Sequence, residues 1–152
     1  MMRRIRLRTA LWCATVALAG ALSAVVIVTG PPADAAIRAI PVGHRMTGSM
    51  TFYNDIGFGA CGTAINASTQ MLVAVSHTWW TTANPNNDPL CRGISVQVTY
   101  KGHTITVPVK DKCPSCDAKH IDLSQRAFQR LAPLSLGVVN GITWKFVRTR
   151  SG

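Results

Sequence analysis

The chain contains no glutamate, and its carboxylate side chains number six: Asp34, Asp55, Asp88, Asp111, Asp117 and Asp122. Against 16 Lys and Arg in 152 residues this gives a net charge of +10. So few acids limit the hydrolytic chemistry available, because inversion at a sugar needs two carboxylates placed on opposite faces of the ring. Paired thiols are also scarce. Only Cys113 and Cys116 have C-x-x-C spacing, while Cys61 and Cys91 stand alone, which argues against a four-cysteine zinc site. A thioredoxin-type redox role for the C-x-x-C pair lacks its β-α-β setting. His44, His77 and His103 share no metal-ligand spacing, and no nucleophile-elbow motif is present. Neither metal nor cofactor is expected. Nucleic acid is only the runner-up partner for so basic a chain, because the basic residues are scattered and carry no nucleic-acid motif. Repeats and low-complexity linkers are absent.

One long apolar run exists, Leu11 to Val28, preceded by Arg3, Arg4, Arg6 and Arg8. Ala33 and Ala35 follow it with the small-x-small pattern of a cleavage site, so residues 1–35 read as a signal peptide cut after Ala35. The run is nearly long enough for an uncleaved anchor, but the small residues sit where cleavage requires them. No second apolar run could span a bilayer, so the mature chain is expected to be secreted, extracellular and free of the membrane. Residues 36–152 leave 117, enough for one domain and too few for two cores. Twelve Lys and Arg then face five Asp, a net +7 that favours anionic polymers or acidic protein partners. Cys13 leaves with the leader. The remaining Cys61, Cys91, Cys113 and Cys116 form an even set in an exported small domain, hence two disulfides, and spacing alone leaves three pairings open.

Residues 36–44 read as a loose mature N-terminus, and from Arg45 the chain alternates as β structure. Met46, Gly48, Met50 and Phe52 share one face, opposite Thr47, Ser49, Thr51 and Tyr53. Residues 54–59 are a turn-rich loop, 71–75 a buried strand, and 77–89 a long surface loop holding Trp79 and Trp80. Residues 94–100 and 104–109 make a hairpin around Lys101-Gly102-His103. One short helix, 125–131, is capped by Ser124. Residues 138–147 are strands interrupted by an Asn140-Gly141 turn, with Trp144 in the core beside Ile142 and Phe146.

Several local patterns then coincide in order: Thr51-Phe52-Tyr53, Gly59-Ala60-Cys61-Gly62, Asp111-Lys112-Cys113-Pro114-Ser115-Cys116, His120-Ile121-Asp122-Leu123-Ser124, Ala127-Phe128 and Gly141-Ile142-Thr143-Trp144. This ordered set resembles the double-psi β-barrel of expansins, barwin-like proteins, loosenins and rare lipoprotein A, over about 46–147. The resemblance implies a mainly β, six-stranded barrel with a groove across one face, filling a 36–152 domain. It also implies the pairs Cys61–Cys91 and Cys113–Cys116. No second, carbohydrate-binding domain of the expansin kind is expected beside a barrel that fills residues 36–152. The chain is therefore closer to loosenins and to the secreted bacterial papain inhibitors of this fold.

In the endoglucanases and lytic transglycosylases of the fold, the Asp matching Asp122 is the general acid, and Asp55 stands at the offset of the base. The plainer assignment makes Asp55 a turn-former and Asp122 a cap near the start of the helix. His120 could tune Asp122 or sit as a polar residue at a strand end. Two functional classes follow. The first is a monomeric, non-catalytic inhibitor of papain-like cysteine proteases, extending to trypsin-like serine proteases, with Trp79, Trp80 and residues 84–89 as contact. The second is a binder or loosener of cellulose, chitin or peptidoglycan using Tyr53, Trp79, Trp80 and Asp122. Glycan cleavage by Asp122 and Asp55 is a remote third.

Overall fold

The apolar alternation of β1 (Met46–Tyr53) sends Met50 into the interior and leaves Thr51 and Tyr53 on the other side. The computed structural model describes residues 40–149; the leader and its cleavage site at Ala35 lie outside them. Seven strands follow β1: β2 (Ile56–Phe58), β3 (Ala64–Asn66), β4 (Val73–Ser76), β5 (Ile94–Tyr100), β6 (His103–Cys113), β7 (His120–Ser124) and β8 (Val139–Arg148). Six of them close a barrel in the order β1-β7-β4-β6-β5-β8, while β2 and β3 pair only with each other as a separate arm. β1 with β7 and β4 with β6 are parallel; the other barrel pairs are antiparallel. The six-stranded barrel and both disulfides, Cys61–Cys91 and Cys113–Cys116, are those the resemblance implied.

The interior holds Val73, Val75, Val96, Val98, Ile121, Leu123, Ile142, Trp144 and Phe146, two or three from each of four strands. Trp144 is in the core, as its alternation requires, and its indole N–H donates to the Lys119 carbonyl at 2.9 Å. Gly48 makes this possible, because a Cβ there would overlap the Lys119 carbonyl where that turn crosses β1.

Four sequence expectations need correction. Asn140-Gly141 is not a turn between two strands. β8 runs through it, Gly48 pairs with Ile142 and Ser49 with Asn140, and Gly141 at φ +72° is the extra residue of a bulge. The helix, α1, spans only Gln125–Phe128 before dissolving into turns, although Ser124 caps it as expected, its Oγ accepting from the Ala127 N–H. The second strand of the hairpin continues past Val109 to Cys113. Residues 40–44 are not a loose end: Ile40 is buried and the Gly43 N–H donates to the Phe146 carbonyl.

The 77–89 segment is likewise more ordered than a plain surface loop. It winds through short 3-10 turns, His77–Trp79 and Pro85–Asn87, and another turn at Pro89–Cys91 follows. The turns gather around the buried Asp88, whose carboxylate accepts from the backbone N–H groups of Thr81, Thr82 and Leu90. Carboxylates satisfied by several amides in this way hold a loop in one shape.

Candidate functional site

The parallel pairing of β1 with β7 sets Thr51 opposite Asp122 and Tyr53 opposite Ser124. β4 continues the row, with Ala74 facing Asp122 on one side and Asp111 of β6 on the other. Thr51, Asp122, Ala74 and Asp111 thus form one line across four strands on the outer face of the barrel. Ala74 is the small residue that keeps the centre of the line shallow. Tyr53 lies over it, packed against Ala74 and the Cys113–Cys116 disulfide.

Asp111 was not singled out from sequence. Val107 and Val109 point into the core, and strict alternation would carry Asp111 in after them. A register shift on the β4–β6 pair, where Val73 meets Val109 but Ala74 meets Asp111, inserts one residue and returns Asp111 to the outer face. A Val-x-Val-x-Asp run that would otherwise bury a charge is the signal that could have exposed it. Its carboxylate accepts from the backbone N–H groups of Ala60 and Lys112, at 2.9 and 2.8 Å.

Asp122 does not cap the helix, contrary to the plainer assignment; Ser124 does that. Asp122 accepts a 2.6 Å hydrogen bond from the Thr51 hydroxyl, and Thr51 Oγ1 also meets His120 Nε2 at 2.8 Å. Burial raises the Asp122 carboxyl above its ordinary range, and the Thr51 hydrogen bond and His120 only partly offset this. Burial also raises the Tyr53 phenol, helped by the carboxylates of Asp111, Asp122 and Asp55. The Tyr53 hydroxyl is buried and makes no hydrogen bond of ordinary geometry. Asp55 itself is exposed, beyond the end of β1. The face therefore offers a protonatable acid, a hydroxyl and an imidazole, with the Tyr53 ring beside them, a set suited to sugar hydroxyls as well as to proton transfer.

Trp79 and Trp80 are not part of this line. Both are half-buried against the inner cluster. The Trp79 indole meets Phe146 edge-on at 5.5 Å and donates to the Ala118 carbonyl. Trp80 donates to the carbonyl of Val75, which points inward where Ala74 points outward, and carries Lys112 Nζ 5.3 Å above its ring. Their aromatic surface is thus largely committed to the fold. Among the described residues no group of three or more His, Cys, Asp or Glu could hold a metal ion.

Comparison with known proteins places this geometry. The family model described as lytic transglycolase matches residues 45–143. The papain inhibitor of Streptomyces mobaraensis is 63% identical over 135 residues, covering 89% of this chain and 92% of its own. An Arthroderma benhamiae homolog of the allergen Asp f 7 is 36% identical, and the matched segment is 40% of its length. Among solved structures, Streptomyces papain inhibitor superposes with a TM-score of 0.71 at 72% identity, covering 72% of this chain and 99% of that one. A Clavibacter michiganensis expansin variant in complex with cellohexaose follows at a TM-score of 0.57 and 30% identity, over 72% of this chain and 53% of that one. The closed barrel and these matches together show that the chain belongs to the lytic transglycolase family of double-psi β-barrels.

Proposed function

We propose that the protein is an exported, non-catalytic inhibitor of papain-like cysteine proteases. One observation carries this reading: its similarity to a papain inhibitor extends over nearly the whole of that relative, at 63% identity. The architecture supports it. Two disulfides and the Asp88-centred turns hold the loops in place, so docking orders little that was free before. The test is titration of papain with the purified mature protein, with trypsin in parallel. Papain activity should fall in proportion to added protein and return on dilution, without modification of the active-site thiol. Papain left fully active at tens of micromolar would sink the reading.

A second reading, binding of wall polysaccharide, is favoured by the likeness to an expansin solved with cellohexaose and by the Thr51, Tyr53, Asp111 and Asp122 face. Retention on insoluble cellulose or chitin, reduced by Tyr53→Ala, is its expected signature. Asp122 has the raised carboxyl that a general acid needs, so release of anhydro-sugars or new reducing ends, lost in Asp122→Asn, is the outcome that would turn either reading into an enzyme.

A further inference from the structure

The two most exposed large apolar side chains among the described residues are Ile56 at 75% and Phe58 at 81%, and both lie on the three-residue strand β2. Their placement follows from pairing. Ile56 faces Asn66, Gly57 faces Ile65 and Phe58 faces Ala64. Directly opposed residues of an antiparallel pair share a face, so the exposed Gly57 lies on the side of Ile65, which is buried with Ala67 and Leu72. Ile56, Phe58 and Ala64 turn outward. The backbone alternates in the same way. The Asp55 carbonyl accepts from Ala67, and the Gly59 N–H donates to Thr63, so residues 55, 57 and 59 direct their polar groups toward β3. Ile56 and Phe58 direct theirs away from it, and β2 has no partner on that side. The same two residues thus present apolar side chains and an open backbone edge. Natural edges are normally blunted by charge or proline, and this one is not.

The arm is firmly mounted. Its base is joined to the 3-10 turn at Cys91 by the Cys61–Cys91 bridge, and the N–H groups of Ala60 and Cys61 donate to the Asp111 carboxylate and the Lys110 carbonyl. Gly59 lies so close to Lys110 that a Cβ would collide with its carbonyl.

We propose that this arm is the surface that occupies a cysteine protease, with Ile56 and Phe58 in apolar subsites and their backbone groups pairing with a cleft wall as an extended peptide would. The assignment rests on the inhibitor reading above. Strand addition with alternate side chains in pockets is a general mode of peptide recognition. A second copy of the chain is a poor occupant. Three residues reach only about 10 Å, and edge-to-edge pairing of two such strands buries far less than the roughly 1,200 Å² of a stable interface. Ten Lys and Arg against five Asp among the described residues also make two copies repel. A concave cleft closing around a projecting arm meets neither obstacle.

The test titrates papain with the unmodified protein, with Ile56→Ser/Phe58→Ser, and with Leu136→Ser/Val138→Ser, the other exposed apolar pair. The arm variant should weaken inhibition at least tenfold, about 1.4 kcal/mol, with Tm unchanged, while the second pair has no effect. Hydrogen exchange on the unmodified complex checks the backbone independently of any substitution. The amides of Ile56 and Phe58, open in the free protein, should become protected on papain. Inhibition by the unmodified protein that persists in the arm variant, or amides that stay unprotected, would overturn the assignment and leave the inhibitor reading standing. Self-association through the arm with no loss of inhibition on its removal would make a second copy the occupant. Failure of the unmodified protein to inhibit would end both.

Discussion

Asp122 and Tyr53 are held in the groove at some cost to the fold. A carboxyl raised above its unfolded value binds more protons in the native state than in the unfolded one, so stability falls as pH rises from the ordinary Asp range to the raised value. Asp122→Asn should therefore raise Tm at neutral pH, and the difference should shrink to nothing below the ordinary Asp range, where both states are protonated. A Tm gain that persisted unchanged in acid would show that charge burial is not its cause. Tyr53→Phe removes a buried hydroxyl that makes no hydrogen bond of ordinary geometry and should stabilise by up to about 1–2 kcal/mol in urea unfolding. Sequence singled out both residues as candidates because each sits on a recognisable local pattern, and the β1–β7 pairing brings them onto one face. It missed Asp111, because its orientation is set by a register shift against β4, a strand more than 30 residues away.

At the scale of elements, the strands with plain alternation were legible, and those interrupted by bulges or by crossing segments were not. β1 and β5 fall within a residue or two of the expected ranges, since Met46, Met50 and Phe52 on one, and Ile94, Val96 and Val98 on the other, pack against the core at alternate positions. Asn140-Gly141 has the composition of a hairpin turn, yet here the glycine's positive φ serves a bulge, because β1 pairs on both sides of it. The half-burial of the tryptophan pair was hidden for a related reason: two polar-flanked tryptophans look exposed in sequence until β8 brings Phe146 against one of them. Trp79→Ala should accordingly destabilise by about 2–3 kcal/mol, through lost packing and an orphaned Ala118 carbonyl, and Trp80→Ala by less. Equal, negligible losses in both would restore the pair as a free contact surface. Gly48→Ala should cost at least about 2 kcal/mol, since the obstructing atom is backbone and cannot swing aside. Gly57→Ala, with nothing near its Cβ position, is the matched control.

The whole barrel was legible only through an ordered set of motifs, because no periodicity reveals that β1 lies between β7 and β8 or that β4 runs beside β6. Such non-local pairing makes cross-links effective, and the two disulfides should differ in what they secure. Cys61–Cys91 spans 30 residues and closes a loop that contains β3, β4 and the Asp88 turns, whereas Cys113–Cys116 spans three. On chain entropy, the first should contribute about 3–4 kcal/mol and the second about 2 kcal/mol. The long bridge also mounts the β2–β3 arm, so its loss should act twice, on stability and on the order of Ile56 and Phe58. Cys61→Ala/Cys91→Ala should show both a lower urea midpoint and weaker papain inhibition at temperatures where it remains folded. Cys113→Ala/Cys116→Ala, which removes a bridge beneath Tyr53, should lose less stability and keep its inhibition. If the short bridge proves the one inhibition depends on, contact runs through the groove beside Tyr53, and the arm is only a bystander to it.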